Sequence, residues 1–394
     1  MVQRKQYMEK LIKLKDKKII KALTGIRRCG KSTLLLMFCD YLKECGVEDN
    51  QIILLNFEDL ANEPLLEYRK LDEYLTKRLH PDKMTYVFLD EIQNVQDFQK
   101  AVDSLFTKDN VDVYITGSNT QMISGELAAL LSGRYMEISM LPLSFAEYFE
   151  MVGGDKRDAF NQYYRNGGFP YAAVIEDEDI RREYLAGIYN AVLLKHIVAR
   201  RRINDIALLE SVIKFLFDNI GNTVSSKKIA DSLTSYGRGT TSITVDNYVE
   251  ALIGAFVLYR AYRYDVKGKL YLKSLEKYYL VDVGLRRMLL GDKNIDIDHV
   301  LENIVYLELL RRGYIVSIGK VGEKEIDFIA VTGGDKLYYQ VAASILDPAT
   351  FEREIAPLKK VSDYYPKFIL SMDELPMSED GIKQVNIIDF LLEK

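Results

Sequence analysis

The residues best suited to chemistry lie near the amino terminus, where Gly25–Ser32 has the sequence Gly-Ile-Arg-Arg-Cys-Gly-Lys-Ser. This segment fits the pattern G-x-x-x-x-G-K-[ST] at every fixed position, between an apolar strand-like run and a helix-like run. Glycines let the backbone curl so that its N–H groups converge on phosphate oxygens, and the helix N-terminus adds positive charge. Lys31 would then reach the β- and γ-phosphates, and the Ser32 hydroxyl would bind Mg²⁺. The pattern predicts an ATP and Mg²⁺ site rather than a fortuitous glycine-rich turn. The residues assigned to the nucleotide here are Gly25, Gly30, Lys31, Ser32 and Thr33.

Two carboxylates end the later apolar run Tyr86–Leu89. Asp90 is positioned to hold Mg²⁺ through water, and Glu91 to orient or deprotonate the attacking water. Acidic pairs at strand ends are common, so the interpretation depends on their order after the glycine-rich loop. The next strand-like run ends in Thr-Gly-Ser-Asn, where either Ser118 or Asn119 could contact the γ-phosphate or the water. A simple turn is the alternative for this segment.

Arg134 follows a predicted helix over Glu126–Leu131. An arginine at this position is a candidate catalytic finger that reaches the nucleotide of a neighbouring subunit. The alternative is a surface arginine in an ion pair. The first interpretation predicts a homo-oligomer as the functional unit.

The elements that must position these residues alternate between two patterns over residues 1–150. Near-continuous apolar runs, which favour strands, are separated by helix-like segments, and this order predicts an α/β fold with a parallel sheet covered on both faces. The strand-like runs are Lys18–Thr24, Ile52–Asn56, Tyr86–Leu89 and Val111–Thr116.

The middle of the chain has a different pattern. Mostly helical sequence extends from Phe145 to about Ile203, and three further helical segments then precede a basic hairpin, the order of a winged helix-turn-helix. If this segment binds DNA, Thr241, Lys267 and Lys269 are the candidate phosphate contacts. Winged helices also serve as protein-binding modules or spacers, so an unknown protein partner is the alternative.

Composition narrows the class of protein. The 394 residues are 48% hydrophobic with a net charge of −5, which suits two or three globular domains and does not by itself indicate a nucleic-acid binder. The three cysteines match no zinc pattern and favour a reducing compartment. No run approaches the roughly 20 apolar residues of a membrane span. We therefore expect a soluble, cytoplasmic protein with no membrane partner.

Several motifs together resemble one family, the prokaryotic AAA-type (AAA+) ATPases that carry a C-terminal domain of unassigned function. They are GIRRCGKS, LLNFED, FLDEIQN, TGSN, SGRY with LPLSFAEY, GGFP, KYYLVDVGLR and ENIVYLELLRRG. The resemblance covers nearly the whole chain. It implies an AAA+-type P-loop NTPase core over residues 1–145, a helical lid over 146–203, a winged-helix domain over 204–291 and a restriction-endonuclease-like domain over 292–394. It also implies the nucleotide-site roles for Lys31, Ser32, Asp90 and Glu91.

The C-terminal segment departs from the restriction-endonuclease pattern of a helical glutamate, an aspartate at a strand start and Glu-x-Lys on the next strand. Glu302 or Glu308 could supply the first carboxylate and Asp327 the second, but Gln340 and Ala342 occupy the positions of the glutamate and the lysine. An amide binds Mg²⁺ more weakly than a carboxylate, and a methyl group cannot position water. We expect a vestigial site of Glu302, Asp327 and Gln340, and a domain kept for binding or packing.

Three functional hypotheses follow. The first is an ATP-hydrolysing AAA+ protein that couples nucleotide state to its winged-helix and nuclease-like domains on a partner, with DNA as one candidate. The second is an ATP-gated DNA nuclease or defence effector, which the missing Glu-x-Lys disfavours. The third is a nucleotide-dependent protein-interaction module with negligible turnover, against which Glu91 argues, since a pure sensor needs no water-activating carboxylate.

Overall fold

The computed structural model of the chain describes residues 2–120, 133–198, 203, 205–268, 270–292 and 296–393. Contacts divide the chain into two compact units, Met1–Met140 with Gly254–Phe256 and Leu141–Ile253 with Val257–Lys394. The division into four domains stays a prediction. The predicted helix over Glu126–Leu131 lies outside the described residues.

The first unit is built on a five-stranded parallel sheet with the strand order β2-β3-β4-β1-β5. Its strands are β1 Ile20–Thr24, β2 Ile52–Asn56, β3 Thr85–Asp90, β4 Val111–Gly117 and β5 Tyr135–Ser139. Every residue of β1, β3 and β4 is buried, as expected for central strands covered on both faces. The α/β class with a parallel sheet, predicted from the apolar runs, is therefore confirmed.

Helices cover both faces of this sheet. They are α1 Lys5–Leu14, α2 Lys31–Glu44, α3 Tyr68–Thr76 and α4 Phe98–Phe106. Side chains of α3 and α4, such as Leu71 and Val102, pack with Val87 of β3 in one apolar cluster. Alternate strand residues face the other way, where the rings of Phe88 and Phe38 of α2 have centroids 6.3 Å apart. The parallel register aligns the carboxyl ends of β1, β3 and β4 at one edge of the sheet.

The second unit combines helices with a nine-stranded sheet in the order β13-β14-β12-β11-β10-β9-β7-β8-β6. Its helices are α5 Phe145–Val152, α6 Lys156–Asn166, α7 Glu178–Asn190, a π-helical continuation Ala191–Val198, α8 Ile206–Asp218, α9 Ser226–Ser235, α10 Ser242–Gly254, α11 Val283–Leu290, α12 Ile297–Arg311, α13 Pro348–Lys359 and α14 Ile387–Leu392. Its strands are β6 Thr223–Val224, β7 Leu258–Asp265, β8 Leu270–Leu280, β9 Ile315–Val321, β10 Lys324–Thr332, β11 Asp335–Val341, β12 Lys367–Ser371, β13 Ser378–Glu379 and β14 Ile382–Asn386. No helix in the described ranges is long and apolar enough to cross a membrane.

The hairpin of β7 and β8 follows α8, α9 and α10, the order that the sequence indicated. β7 also pairs in parallel with β9, so the hairpin and the C-terminal strands form one continuous sheet. The winged-helix and restriction-endonuclease-like assignments stay predictions.

Two glycine-containing motifs meet around the buried Asp282 in this unit. The Asp282 carboxylate accepts hydrogen bonds from the backbone N–H of Gly168 at 2.6 Å and of Gly284 at 2.8 Å. Gly167 has a φ of +77°, and a Cβ there would lie 2.0 Å from Asp282 Oδ1. A Cβ on Gly284 would lie 2.2 Å from the carbonyl oxygen of Asn166. We call Gly167, Gly168, Asp282 and Gly284 the glycine–aspartate clamp, and it joins the end of α6 to the start of α11.

Candidate nucleotide-binding site

The phosphate loop connects the end of β1 to the start of α2. Gly25 has a φ of +145°, and a Cβ there would lie 2.1 Å from the carbonyl oxygen of Met140, so only glycine fits this position. Gly30 has a φ of +105° directly before the helix begins at Lys31. The unsatisfied N–H groups of the first turn of α2 therefore point toward the loop, which is the geometry of an anion site.

Lys31 lies inside the curl of this loop, with only 3% of its surface exposed. Its ammonium donates to the carbonyl oxygens of Gly25 at 3.0 Å and Ile26 at 3.2 Å, and lies 3.5 Å from Glu91 Oε1. A buried ammonium needs such partners to offset its lost hydration. Ser32 and Thr33 are exposed on the first turn of α2, where a ligand in the loop could contact them.

The carboxylates predicted at the end of β3 are both buried beside the end of β4. Thr116 of β4 connects them, because its hydroxyl donates to Asp90 Oδ1 at 2.5 Å and accepts from the backbone N–H of Glu91 at 2.9 Å. Glu91 has a φ of +53°, a left-handed conformation that is uncommon outside glycine and marks a constrained turn. The turn directs the two carboxylates differently, since only Glu91 contacts Lys31.

Glu91 is held by three side chains. Ser118 Oγ donates to Glu91 Oε2 at 3.0 Å, Gln93 Nε2 donates to the same oxygen at 2.5 Å, and Lys31 faces Oε1. Burial alone would raise the pKa of Glu91, but the Lys31 ammonium and these hydrogen bonds outweigh burial and hold the pKa below its ordinary value. Glu91 is therefore an ionised carboxylate at neutral pH.

Between the two candidates at the end of β4, Ser118 is the one that contacts Glu91, while Asn119 is buried beside it. Sequence analysis missed Thr116 and Gln93. Thr116 was the first residue of the Thr-Gly-Ser-Asn run, and Gln93 follows Glu91 by two residues in the short 3₁₀ turn Ile92–Asn94. Proximity to the predicted carboxylates was the available signal for both.

Arg134 lies at the opposite edge of the sheet from the phosphate loop. Its carbonyl oxygen accepts from the N–H of Ile20, the first residue of β1, whereas the loop follows the last residue of that strand. Its guanidinium pairs with Asp103 of α4 and lies 5.5 Å from the ring centroid of Phe106. The structure thus does not bring Arg134 to the phosphate loop of its own chain, and a finger role toward a neighbouring subunit stays a prediction.

The three residues predicted as a vestigial nuclease site do come together in the second unit, around a lysine that sequence analysis missed. Lys277 of β8 is buried, and its Nζ lies 3.4 Å from Glu302 of α12, 2.7 Å from Glu325 and 3.9 Å from Asp327 of β10. Gln340 of β11 accepts from the N–H of Asp327 at 3.4 Å. No sequence motif links Lys277 to these carboxylates, because it belongs to a strand that precedes them in the chain.

The charges of this lysine–carboxylate cluster depend on one another. Burial would lower the pKa of Lys277, but Glu302 and its neighbours raise it above the ordinary value. Burial also raises the pKa of Asp327 well above its usual range, whereas Lys277 holds that of Glu302 below it despite burial. In the part of the chain that the structure describes, no group of three or more His, Cys, Asp or Glu could hold a metal ion. The Lys277 ammonium is the positive charge that faces Glu302, Glu325 and Asp327.

The predicted DNA contacts lie on exposed turns. Thr241 Oγ1 accepts from the N–H of Thr244 and so caps α10, and Lys267 lies in the exposed turn between β7 and β8. Lys269 lies outside the described residues.

Comparison with known proteins finds two family models that match parts of the chain. Residues 17–149 match the family model of an AAA domain, and residues 157–296 match a domain of unknown function, DUF8612. An uncharacterized protein of Haemophilus influenzae is 39% identical, with 100% of this chain and 99% of that protein covered. The uncharacterized protein MJ1544 of Methanocaldococcus jannaschii is 28% identical, covering 94% of this chain and 85% of that protein.

Among solved structures, the Aeropyrum pernix ORC1 protein in complex with DNA matches with a TM-score of 0.32 and 12% identity, covering 74% of this chain and 93% of that chain. Cdc6p from Pyrobaculum aerophilum matches with a TM-score of 0.32 and 10% identity, covering 77% and 94%. The parallel α/β fold of the first unit is shown by its own strand order. The chain belongs to the same family as the Haemophilus influenzae protein, and its AAA domain spans the phosphate loop, the paired carboxylates and the parallel sheet.

Proposed function

We propose that this protein binds ATP with Mg²⁺ and hydrolyses it at the phosphate loop of its AAA domain. One observation carries the proposal: Glu91 is an ionised, buried carboxylate fixed between Lys31 and Ser118 beside that loop. An ionised carboxylate in this position can accept a proton from water attacking the γ-phosphate.

The residues present fit ATP and Mg²⁺. Gly25 lets the loop pass close to the carbonyl oxygen of Met140, and the Lys31 ammonium already lies within the loop, where it donates to the carbonyl oxygen of Gly25. Ser32 and Asp90 would hold Mg²⁺, which supplies charge neutralisation on the phosphates. Lys31 would exchange its carbonyl partners for phosphate oxygens, and this exchange loosens its contact with Glu91. Ser118 would keep the Glu91 carboxylate oriented during that exchange.

The proposal extends to coupling between this site and the second unit, with DNA or an unknown protein as the partner and a homo-oligomer as the assembly. This extension is supported by the order of segments in the chain. The AAA domain is followed in the same chain by the helices, the hairpin and the exposed basic turn of the second unit. ATP occupancy would shift the populations of two conformations by its differential affinity for them.

Phosphate release from ATP by the purified chain tests the hydrolysis directly. We expect Glu91→Gln to keep ATP binding and to lower the rate by about 10²-fold or more, because it removes the base but keeps the shape. Lys31→Ala should abolish both. Glu73→Gln, a matched change on the exposed face of α3, should leave the rate unaltered. Unchanged release in both site variants would contradict the proposal, and ATP binding without any release would favour the interaction module instead.

For the lysine–carboxylate cluster we propose a packing role. The ammonium of Lys277 lies among the carboxylates that a metal would need and offsets part of their charge. Mg²⁺- or Mn²⁺-dependent cleavage of plasmid DNA that disappears in Asp327→Ala would contradict this proposal and restore the nuclease hypothesis.

A further inference from the structure

A cavity of about 110 Å³ opens on the second unit where α6, α7 and α11 meet. We call it the arginine cavity, because its charged lining is dominated by guanidinium groups. The charged lining residues are Arg165, Arg181, Arg182, Arg287, Glu178 and Asp292.

The two carboxylates of the arginine cavity are already occupied. Arg287 holds both, with Nη2 at 2.6 Å from Glu178 Oε1 and Nε at 2.5 Å from Asp292 Oδ1. Arg165 and Arg182 are exposed, and neither forms an ion pair with any residue that the structure describes. The cavity therefore has an excess of positive charge, and Arg165 and Arg182 belong to neighbouring helices. Arg181 instead donates to the backbone carbonyl oxygens of Ala172 and Ile175.

The floor of the arginine cavity is rigid. Gly284 lines it and belongs to the glycine–aspartate clamp, where the buried carboxylate of Asp282 fixes the start of α11 against the end of α6. Arg287 also donates to the side chain of Asn166 at 3.4 Å. The helices that carry the arginines are therefore fixed relative to one another before a ligand arrives.

The size and lining of the cavity select the ligand. Pockets that bury whole small molecules measure about 300–1,000 Å³, so this cavity admits a single phosphate group rather than a nucleotide. Guanidinium forks match phosphate oxygens in bidentate fashion. Leu185 and Met288 are its largest apolar lining residues, so it lacks the apolar centre of a protein interface.

We propose that the arginine cavity binds a phosphodiester group of a nucleic-acid backbone. The choice of nucleic acid as the partner rests on the proposed function. The binding site itself is one that the sequence motifs did not indicate. Because the contact is to phosphate, it fixes the position of the nucleic acid without reading its sequence. Binding is measured without nucleotide, so this inference and ATP hydrolysis can fail separately.

The test is fluorescence anisotropy of a fluorescein-labelled DNA duplex titrated with the full chain over a series of KCl concentrations. We expect Arg165→Gln with Arg182→Gln to weaken binding about tenfold, and to reduce the slope of log K against log [KCl] by about 1, since the loss of one neutralised phosphate removes about one released counterion. The DNA affinity of the Arg165→Lys, Arg182→Lys variant should lie between those of this variant and the wild type. Lysine keeps the positive charge but cannot form the bidentate hydrogen bonds of a guanidinium group.

The matched control is Arg157→Gln, which removes one arginine from α6 where it pairs with Glu374 outside the cavity. We expect less than about a twofold change in affinity from it. Thermal unfolding of all variants checks that they are folded. Equal affinity and slope in the double glutamine variant and the wild type would overturn the inference, as would an equal loss in Arg157→Gln. If a phosphoserine peptide bound the wild type but not the double glutamine variant, while both bound DNA equally well, the choice of nucleic acid as the partner would be overturned.

Discussion

Lys31 and Glu91 lie 3.5 Å apart in a buried part of the first unit, and each charge stabilises the other. Replacing Lys31 therefore does more than remove a phosphate ligand. It also removes the strongest influence that keeps the Glu91 carboxyl ionised, so burial would then raise the pKa of Glu91. A loss of turnover in Lys31→Ala accordingly has two causes, and Glu91→Gln is the cleaner test of the base.

Ser118 offers a pH test at this scale. Its hydrogen bond to Glu91 favours the ionised form, so Ser118→Ala should raise the pKa of Glu91 and move the acid limb of the kcat–pH profile to higher pH. The plateau rate near neutral pH should fall less than in Glu91→Gln. Ser211→Ala, at a half-buried serine on α8 whose hydroxyl donates to the carbonyl oxygen of Ala207, is the control. An acid limb that stays in place would show that Ser118 does not act on Glu91.

Single residues also differ in how far the sequence could predict them. Lys31, Asp90 and Glu91 were predictable because a loop motif and a strand end fix their spacing. Thr116, Gln93 and Lys277 were not, because a hydrogen-bond or ion-pair partner on another strand depends on strand order, which no local pattern specifies. Gln340 and Asp327 were predicted as neighbours, and their contact in β10 and β11 agrees with that.

At the scale of elements, the glycine–aspartate clamp explains why two motifs distant in sequence both contain glycine. Gly284 has no room for a side chain, since a Cβ would lie 2.2 Å from the carbonyl oxygen of Asn166 and 2.9 Å from Asp282 Oδ1. The carbonyl oxygen belongs to the backbone, and the Asp282 carboxylate is held by the N–H groups of Gly168 and Gly284, so neither can move at little cost. The clamp thus determines how α6 and α11 pack.

Gly284→Ala should lower the free energy of unfolding by about 3 kcal/mol, because the methyl group forces the two helices apart. Gly187→Ala is the matched control. Gly187 lies on α7, and no atom of the residues that the structure describes comes within 4 Å of its added Cβ. The free energy of unfolding should therefore rise by about 0.5–1 kcal/mol through helix propensity. Urea unfolding measures both, and similar effects of the two changes would contradict the close approach.

The lysine–carboxylate cluster connects β8, β10 and α12. Lys277→Met should cost about 3–5 kcal/mol in the free energy of unfolding, because it leaves the buried Glu302 without its cation. Adding Glu302→Gln to that variant should recover part of the loss. The double-mutant cycle in urea tests this, and additive losses would show that the two charges do not interact.

For the whole molecule, the position of Arg134 bears on whether the nucleotide site is completed within one chain or by a second copy of the chain. It lies at the sheet edge away from its own phosphate loop, so any catalytic role requires a second copy of the chain. We expect Arg134→Ala to keep ATP binding and to lower turnover by about 10³-fold. Mixing it with Lys31→Ala should restore activity, because each variant supplies the group that the other lacks.

Asp103→Asn is the control for this prediction, since it breaks the ion pair but keeps the guanidinium. Turnover should survive in that variant. Equal losses in Arg134→Ala and Asp103→Asn would indicate a structural ion pair. A monomer in sedimentation experiments, both with and without a non-hydrolysable ATP analogue, would contradict the finger role.

Features that depend on residues far apart in the sequence were harder to predict than local ones. The parallel sheet followed from apolar runs that are each complete within a few residues. The continuous nine-stranded sheet did not, because the parallel pairing of β7 with β9 spans about fifty residues that include two helices, and the sequence favoured a boundary between them. The arginine cavity was equally inaccessible, as its guanidinium groups come from three separate helices.

Asp282 makes the second unit responsive to acidity. Burial raises the pKa of Asp282 to about 7, against about 3.9 in an unfolded chain, even though backbone N–H groups oppose the shift. The folded state thus binds this proton more tightly. The resulting stabilisation is complete below about pH 4 and is lost as pH rises through about 7.

Asp282→Asn cannot ionise, and its amide opposes one of the two N–H donors. The free energy of unfolding of this variant should therefore be lower than that of the wild type at about pH 5. The difference between the two proteins should become smaller by about pH 8. Asp335→Asn, an exposed change on β11, should show no such narrowing, and a constant gap for Asp282→Asn would contradict the raised pKa. Folding of the second unit is accordingly coupled to proton uptake, and the cohesion between α6 and α11 weakens in mildly alkaline surroundings.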